Sequence, residues 1–213
     1  SAGLVSAYIA AQVKAKVTLV EAHAMGGDCL NTGCVPSKAL IKSAKVAAMM
    51  RGADKYGLTP TEPEVPFRAV IARVLGAVKA IEPHDSVERY EGLGVDVVKG
   101  YAKIIDPWTV EIARNDGGTQ RLTTRSIVIA SGAEPVVPPI PGIEGSGYLT
   151  SETMWDAFAQ MDTAPARVAV LGGGPIGCEL SQALARLGSK VTQVEMADSL
   201  LGREDADVSA LAQ

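Results

Sequence analysis

The sequence predicts an α/β fold made of two strand–turn–helix–strand units with an antiparallel meander between them. Three observations carry this expectation. Short runs rich in Val and Ile alternate with helical patterns, the hydrophobic period changes from about 3.6 to about 2 after Val95, and a segment near one end recurs near the other. In that recurrence Gly3–Glu21 lies over Gly177–Glu195 without a gap, matching at Gly3/Gly177, Ala11/Ala185, Lys16/Lys190, Val17/Val191, Thr18/Thr192, Val20/Val194 and Glu21/Glu195.

Taken in order, residues 3–14 are small and apolar on nearly every face, as in a buried helix, and Lys16–Glu21 reads as a short buried strand ending in an acid. A loop from His23 to Asp28 leads into a helix that starts at Cys29 or Cys34 and runs to Met50, with Leu40, Ile41, Ala44, Ala47 and Ala48 at helical spacing. After the proline-rich Thr59–Pro66, a helix is expected over Phe67–Ile81 and a shorter one from Pro83 through Tyr90. Val95–Val98, Ala102–Ile105, Thr109–Ile112 and Thr119–Leu122 read as the strands of the meander, separated by Asp-Pro and Asn-Asp-Gly-Gly turns. Ser126–Ala130 reads as a buried strand ending in Ser131-Gly132, and the prolines from Pro135 to Pro141 as a crossover. Helix Glu152–Ala159, strand Arg167–Leu171, helix Pro175–Leu187 and strand Lys190–Glu195 complete the second unit.

Composition narrows the classes of function. With 47% apolar and 21% charged residues the chain should fold, and a net charge of −4 without a Lys/Arg cluster argues against a nucleic-acid partner. Every apolar run is broken by a charge before it reaches bilayer length, so no membrane span is expected in this segment. Three cysteines are too few for a disulfide scaffold, which fits a reducing, cytoplasmic compartment. The chain starts without Met and ends inside a helical pattern, so a fragment of a longer protein is expected.

The second unit carries Gly172-x-Gly174-x-x-Gly177 between a strand and a helix, with Glu195 twenty-three residues after the first glycine. That context is the dinucleotide-binding fingerprint. The glycines give a tight turn, room for a pyrophosphate at a helix N-terminus and close helix-to-strand packing, while the acid takes ribose hydroxyls. By the repeat, Gly3 is the third glycine of a first fingerprint. Two such units imply two dinucleotides, which suggests electrons passing between a flavin and a nicotinamide.

Directly after the first unit, GGDCLNTGCVPSK places Cys29 and Cys34 five residues apart. In a regular helix that spacing holds Cα atoms more than about 7 Å apart and forbids a disulfide. A distorted first turn would allow one, and Gly33 and Pro36 suit that distortion. Cys34 near a helix N-terminus with Lys38 one turn on would favour a thiolate. The alternatives are two buried structural cysteines or half of a zinc site, for which only Cys178, His23 and His84 remain as further ligands, at unrelated spacings. No metal site is expected, and Cys178 reads as a small core residue.

GGDCLNTGCVPSK resembles the redox-active segment of the class I pyridine nucleotide-disulfide oxidoreductases, whose members include dihydrolipoamide dehydrogenase, glutathione reductase and mercuric reductase. The resemblance runs over essentially the whole chain and includes SIVIASGAEP, which is similar to the family's second flavin motif. It implies an FAD-binding domain over residues 1–143, incomplete at its N-terminus and containing the meander, and a truncated NAD(P)-binding domain over 144–213. Both are Rossmann-like. It implies that Cys29 is the interchange thiol that meets substrate, that Cys34 lies against the flavin as its charge-transfer partner, and that Lys38 stands beside the flavin. Ser1, Gly3, Glu21, Gly27, Asp28, Ala102, Ser131 and Gly132 match FAD-contacting positions, with Asp28 and Ser131 standing where threonine is common. Gly172, Gly174, Pro175, Ile176, Gly177 and Glu195 match positions for the nicotinamide dinucleotide. Lys38 and Glu179 are expected to meet as a buried ion pair linking the two domains.

The mechanism implied is hydride transfer from NAD(P)H to FAD, then two electrons to a Cys29–Cys34 disulfide, then exchange with substrate. A carboxylate at Glu195 favours NADH over NADPH, because it accepts from a free 2′-hydroxyl and repels a 2′-phosphate. The substrate is expected to be a disulfide, a dithiol or Hg(II), the full-length protein a homodimer, and this fragment alone inactive. The competing readings are a mercury(II) reductase specifically, and a non-catalytic dinucleotide-binding redox module.

Overall fold

The computed structural model describes residues 1–213. In chain order the elements are α1 (Ala2–Gln12), β1 (Val17–Glu21), α2 (Gly27–Asn31), α3 (Cys34–Arg51), α4 (Phe67–Ile81), α5 (Val87–Gly92), β2 (Val95–Asp106), β3 (Thr109–Arg114), β4 (Thr119–Thr123), α6 (Met154–Ala159), β5 (Arg167–Leu171), α7 (Pro175–Arg186), β6 (Lys190–Val194) and α8 (Ala206–Ala212). The expected α/β class is what the structure has. No helix is long and apolar enough to cross a membrane.

The chain divides into two compact units, one of Ser1–Val35 with Ala77–Glu152 and one of Pro36–Gly76 with Thr153–Gln213. The chain passes between the units at 35/36, 76/77 and 152/153, so the boundary expected at 143/144 lies nine residues before the last of these, and Pro36–Gly76 groups with the later residues.

In the first unit β1–β4 form one sheet in chain order. Val17–Glu21 pairs in parallel with Val95–Lys99, and from Gly100 onward β2 turns to an antiparallel ladder with β3, which pairs with β4. Two of the expected strand runs are therefore one strand, shared between a parallel and an antiparallel ladder. Gly100 stands at the change. A Cβ there would lie 2.5 Å from the Ala113 carbonyl oxygen and 2.8 Å from Ile112 Cγ2, so only glycine lets β3 approach so closely.

Leu4, Ala7 and Ala11 of α1 pack on Tyr90 and Val95, with Val17, Leu19, Met25 and Val97 at the edge of the cluster. The expectation of a helix buried all round is corrected: Val5, Tyr8, Ile9 and Val13 are exposed, because α1 packs on the sheet along a single stripe. A second correction concerns Ser126–Ala130, which is extended but forms no strand, with Val128 67% and Ile129 76% exposed. None of the six strands hydrogen-bonds to it, and an apolar run without a ladder partner has nothing to hold it in a sheet.

In the second unit β5 and β6 pair in parallel, Arg167 with Lys190 through Leu171 with Val194, and α7 makes the crossover between them. Ala183 and Leu184 of α7 and Leu187 just after it are buried. Leu40 and Ala44 of α3 and Phe67, Ile71 and Val74 of α4 are buried with Met154, Trp155 and Phe158 of α6. The Phe67 and Phe158 rings meet edge to face at 5.5 Å, and Arg73 donates to the Ala39 carbonyl at 2.8 Å.

Replacing Gly100 by Ala should destabilise the full-length protein by about 1–3 kcal/mol, the usual cost of forcing a carbon into filled space. Denaturant unfolding at constant m-value checks this.

Candidate functional site

The loop after β1 folds back on the start of α1. Gly26 and Gly27 both take positive φ, 92° and 60°, and a Cβ on Gly27 would lie 2.9 Å from the Ser1 nitrogen. Ser1 Oγ donates to the Gly26 carbonyl at 3.5 Å. Gly3 lets α1 close on its neighbours, since a Cβ there would sit 3.3 Å from Ala130 Cβ and 3.6 Å from Leu19 Cδ1. Gly132, also at positive φ, presents its α-carbon beside Asp28, with Oδ2 3.8 Å from where a Cβ would stand. Ser1, Gly3, Gly27, Asp28 and Gly132 are thus brought together at the N-terminal end of α1, next to Ser131. Bare glycine backbone at a helix N-terminus is the chemistry that receives a pyrophosphate, and the Asp28 carboxylate beside Gly132 is the one anionic group in this set.

Glu21 ends β1, where its Oε1 accepts the His23 N–H at 2.8 Å. Lys99 Nζ donates to the His23 carbonyl at 2.7 Å and Asn115 Nδ2 to the Ala22 carbonyl at 3.0 Å, so the loop carrying Glu21 is tied to β2 and to the β3–β4 turn. Ala102 lies three residues beyond Lys99, exposed, paired with Ile112. One supporting residue escaped the sequence reading. Asn31 Nδ2 donates to the carbonyls of Met25 and Gly27, at 2.9 and 3.0 Å, and holds the Gly26-Gly27 turn in shape. Its signal was an Asn four residues after a Gly-Gly pair, the reach of one helical turn.

Of the two starts expected for the long helix, Cys34 is the one the structure has, and Cys29 lies on the separate short helix α2. The Asp28 carbonyl accepts both Thr32 N–H at 2.9 Å and Gly33 N–H at 2.5 Å, which ends α2 and lets α3 begin afresh at Cys34. Gly33 is required at this break, since a Cβ would lie 2.9 Å from that same carbonyl oxygen. Cys29 is half-buried on α2, Cys34 is exposed at the first position of α3, and no disulfide joins them.

At the second fingerprint, Gly172 has φ 117° and its N–H bonds the Val194 carbonyl at 2.8 Å, fastening the turn to the end of β6. Gly174 caps α7 with Pro175 at its first position, a residue with no N–H to leave unpaired. Added carbons on Gly172 and Gly174 would meet nothing within 4 Å, whereas one on Gly177 would collide with the Gly172 carbonyl oxygen. The turn is open on its outer side and closed against its helix. This is the form a dinucleotide phosphate requires. Ile176 is exposed beside it. Glu195 accepts from Gly173 N–H at 2.5 Å through Oε2 and from Ala197 N–H at 2.9 Å through Oε1. The backbone N–H groups of Ala197, Gly173 and Met196 hold its carboxyl below the usual range. Cys178 is half-buried in the wall of this turn, with Sγ 3.4 Å from the Gly173 carbonyl oxygen.

Lys38 and Glu179 form an ion pair between α3 and α7. The expectation that it is buried is corrected: 59% of the Lys38 and 45% of the Glu179 side chain is accessible, and both residues belong to the second compact unit. Long side chains on two helices reach each other here at the surface, where water solvates both charges.

A dinucleotide-binding α/β protein with a cysteine pair at the entry of a long helix is the class that fold and site define. The family described as pyridine nucleotide-disulphide oxidoreductase matches residues 1–213, and the chain belongs to it. A mercuric reductase of Streptomyces lividans is 37% identical over 98% of this chain and 44% of its own length. A dihydrolipoyl dehydrogenase of Bacillus subtilis (strain 168) is 34% identical over 97% of this chain and 44% of its own. Among solved structures, the Cu(II) complex of the HOCl-induced flavoprotein disulfide reductase RclA from Escherichia coli superposes with a TM-score of 0.79 at 29% identity, covering 99% of this chain and 44% of that one. The chain thus spans less than half the length of the relatives it matches. Members of this family use FAD and NAD(P)H.

Two outcomes follow from this geometry. Because the Glu195 pKa is lowered in the folded protein, the carboxylate contributes stability above its unfolded pKa and loses that contribution as pH falls through the lowered folded value. The difference in stability between the unaltered protein and Glu195→Gln should therefore shrink as pH falls through the acid range, which parallel denaturant titrations would read. The exposed Lys38–Glu179 pair should be worth no more than about 1 kcal/mol, so Lys38→Met should leave the unfolding free energy nearly unchanged.

Proposed function

We propose that this chain is the dinucleotide-binding and dithiol portion of an FAD-dependent disulfide reductase that oxidises NADH. The observation that carries the reading is the helix break at Thr32-Gly33, which puts Cys29 and Cys34 on separate helices directly after a glycine turn suited to a pyrophosphate. Residues 1–143 are read as the FAD domain and 144–213 as part of the NAD(P) domain. FAD would be held by Ser1, Gly3, Gly27, Asp28, Ser131 and Gly132 around the start of α1, with Glu21 and Ala102 toward its adenosine end. NADH would lie on Gly172, Gly174, Pro175, Ile176 and Gly177, with its ribose hydroxyls on Glu195.

Bound FAD supplies two-electron chemistry between the nicotinamide and the cysteine pair. The exchange itself belongs to the protein. The Cys29 thiolate attacks one sulfur of a substrate disulfide, forming a mixed disulfide and releasing the first substrate thiolate. The Cys34 thiolate then attacks Cys29 Sγ, closing Cys29–Cys34 and releasing the second thiolate. Two electrons leave the protein and the substrate gains two thiols. Lys38 and Glu179 would sit where charge moves during re-reduction, the ammonium favouring negative charge on the Cys34 side. The same thiolates would bind a thiophilic cation, and Hg(II) is the second reading of the acceptor, favoured by the 37% identity to a mercuric reductase. The full-length protein is read as a homodimer in a reducing, cytoplasmic compartment.

In the full-length protein, Cys29→Ser or Cys34→Ser should lower NADH-dependent disulfide reduction by about 10³-fold or more while FAD stays bound. NADH should raise a long-wavelength absorption band in the unaltered protein and in Cys29→Ser but not in Cys34→Ser. A protein that retains FAD yet shows neither the band nor reductase activity is a dinucleotide-binding module instead. Comparison of kcat/KM should favour NADH over NADPH, and Glu195→Ala should narrow that ratio.

A further inference from the structure

The Gly172–Gly173 peptide is held at both ends by side chains, one from β6 and one from the residue that follows it. Its carbonyl oxygen accepts from Gln193 Nε2 at 2.9 Å, and its N–H donates to Glu195 Oε2 at 2.5 Å. Gln193 in β6 and Glu195 just past its end are two apart, and both side chains reach the glycine turn. Each is half-buried. Gln193 Nε2 also lies 3.5 Å from Cys178 Sγ, and an added Cβ on Gly177 would stand 3.1 Å from it. Gly177 therefore makes room for the Gly172 carbonyl and for the amide that reaches it.

A peptide between two glycines meets little steric resistance to flipping. A flip would turn the Gly172 carbonyl dipole through the space in front of α7, where the helix N-terminus otherwise favours anions. The next carbonyl is already secured, since Gly173 O accepts from Leu201 N–H at 2.8 Å and lies 3.4 Å from Cys178 Sγ. The Gly172 carbonyl depends on Gln193. When Glu195 turns its oxygens to ribose hydroxyls, its hold on the Gly173 N–H weakens and the amide of Gln193 remains.

Resting on the reading of this turn as the NADH site, we propose that Gln193 is a positioning residue for that site, keeping the Gly172 carbonyl out of the pyrophosphate's path by hydrogen-bond donation. The fingerprint glycines and Glu195 alone do not predict this role, because a strand position two before the acid carries no donor requirement.

The test uses the full-length flavoprotein, with NADH as the probe, and Gln193→Lys, Gln193→Leu and Gln193→Glu. Lys keeps a donor, Leu removes it, and Glu sets an acceptor against an acceptor. NADH affinity should be within about twofold of the unaltered protein for Lys, five- to tenfold weaker for Leu, and weaker again for Glu, the scale of one lost hydrogen bond. With saturating NADH, kcat should move by less than about twofold, and FAD content and Tm should be unchanged. Leu binding as tightly as Gln would overturn the proposal, as would equal losses in Lys and Leu or a fall in Tm that parallels the loss of affinity. If the unaltered protein binds no NADH, the reading of the turn falls and this inference with it.

Discussion

The site depends on one constraint, the approach of helix backbone to neighbouring backbone where no side chain can stand. At Gly177 a Cβ would collide with the Gly172 carbonyl, and at Gly3 it would press on Ala130 and Leu19. Only with those positions bare does each helix start close enough to its strand for its first N–H groups to face a common space with the glycine turn. Everything else in the two proposed dinucleotide sites follows from that approach: the acids at the strand ends, the open outer face of the second turn and the closure of the Gly26-Gly27 loop over Ser1. The cysteines inherit their position from the same loop, because Asp28 both lies beside Gly132 and ends α2 with its carbonyl.

Much of this was legible in the sequence because it is local. The phasing of β5, α7 and β6 was set by a strand pattern, a glycine spacing and a terminal acid within twenty-nine residues, Arg167 to Glu195. Helix α4 was legible from its apolar stripe, and the irregular entry to α3 from Gly33. The glycine-turn positions gathered at the start of α1 were legible from the repeat and the family resemblance, each as a residue type at a fixed offset. Asn31 and Gln193 were not, since their work is to hold backbone carbonyls whose positions exist only once the turns are folded.

Two features depart from the local pattern for a different reason. Burial of α1 and strand formation by Ser126–Ala130 are non-local properties: the first needs elements on two faces, the second a hydrogen-bonding neighbour. Apolar composition records that a segment is capable of burial and does not say what covers it. The merging of Val95–Val98 and Ala102–Ile105 into β2 has the same origin, because Lys99-Gly100 resembles a break in sequence but is a change of partner in space.

The Lys38–Glu179 pair separates stability from the proposed function. An exposed pair contributes little to folding, and Arg51, which grips Glu62 and donates to the Arg186 carbonyl at 2.6 Å, already ties the far end of α3 to the end of α7. The helices therefore do not need Lys38 and Glu179 to stay together. What the pair adds is position: it brings an ammonium one turn beyond Cys34 against a carboxylate in the second turn of the proposed nucleotide helix. Solvent weakens the attraction between the two charges, and any process that excludes water from them strengthens it. If the proposed dinucleotides exclude water from the pair when they bind, its attraction is strongest in the loaded protein.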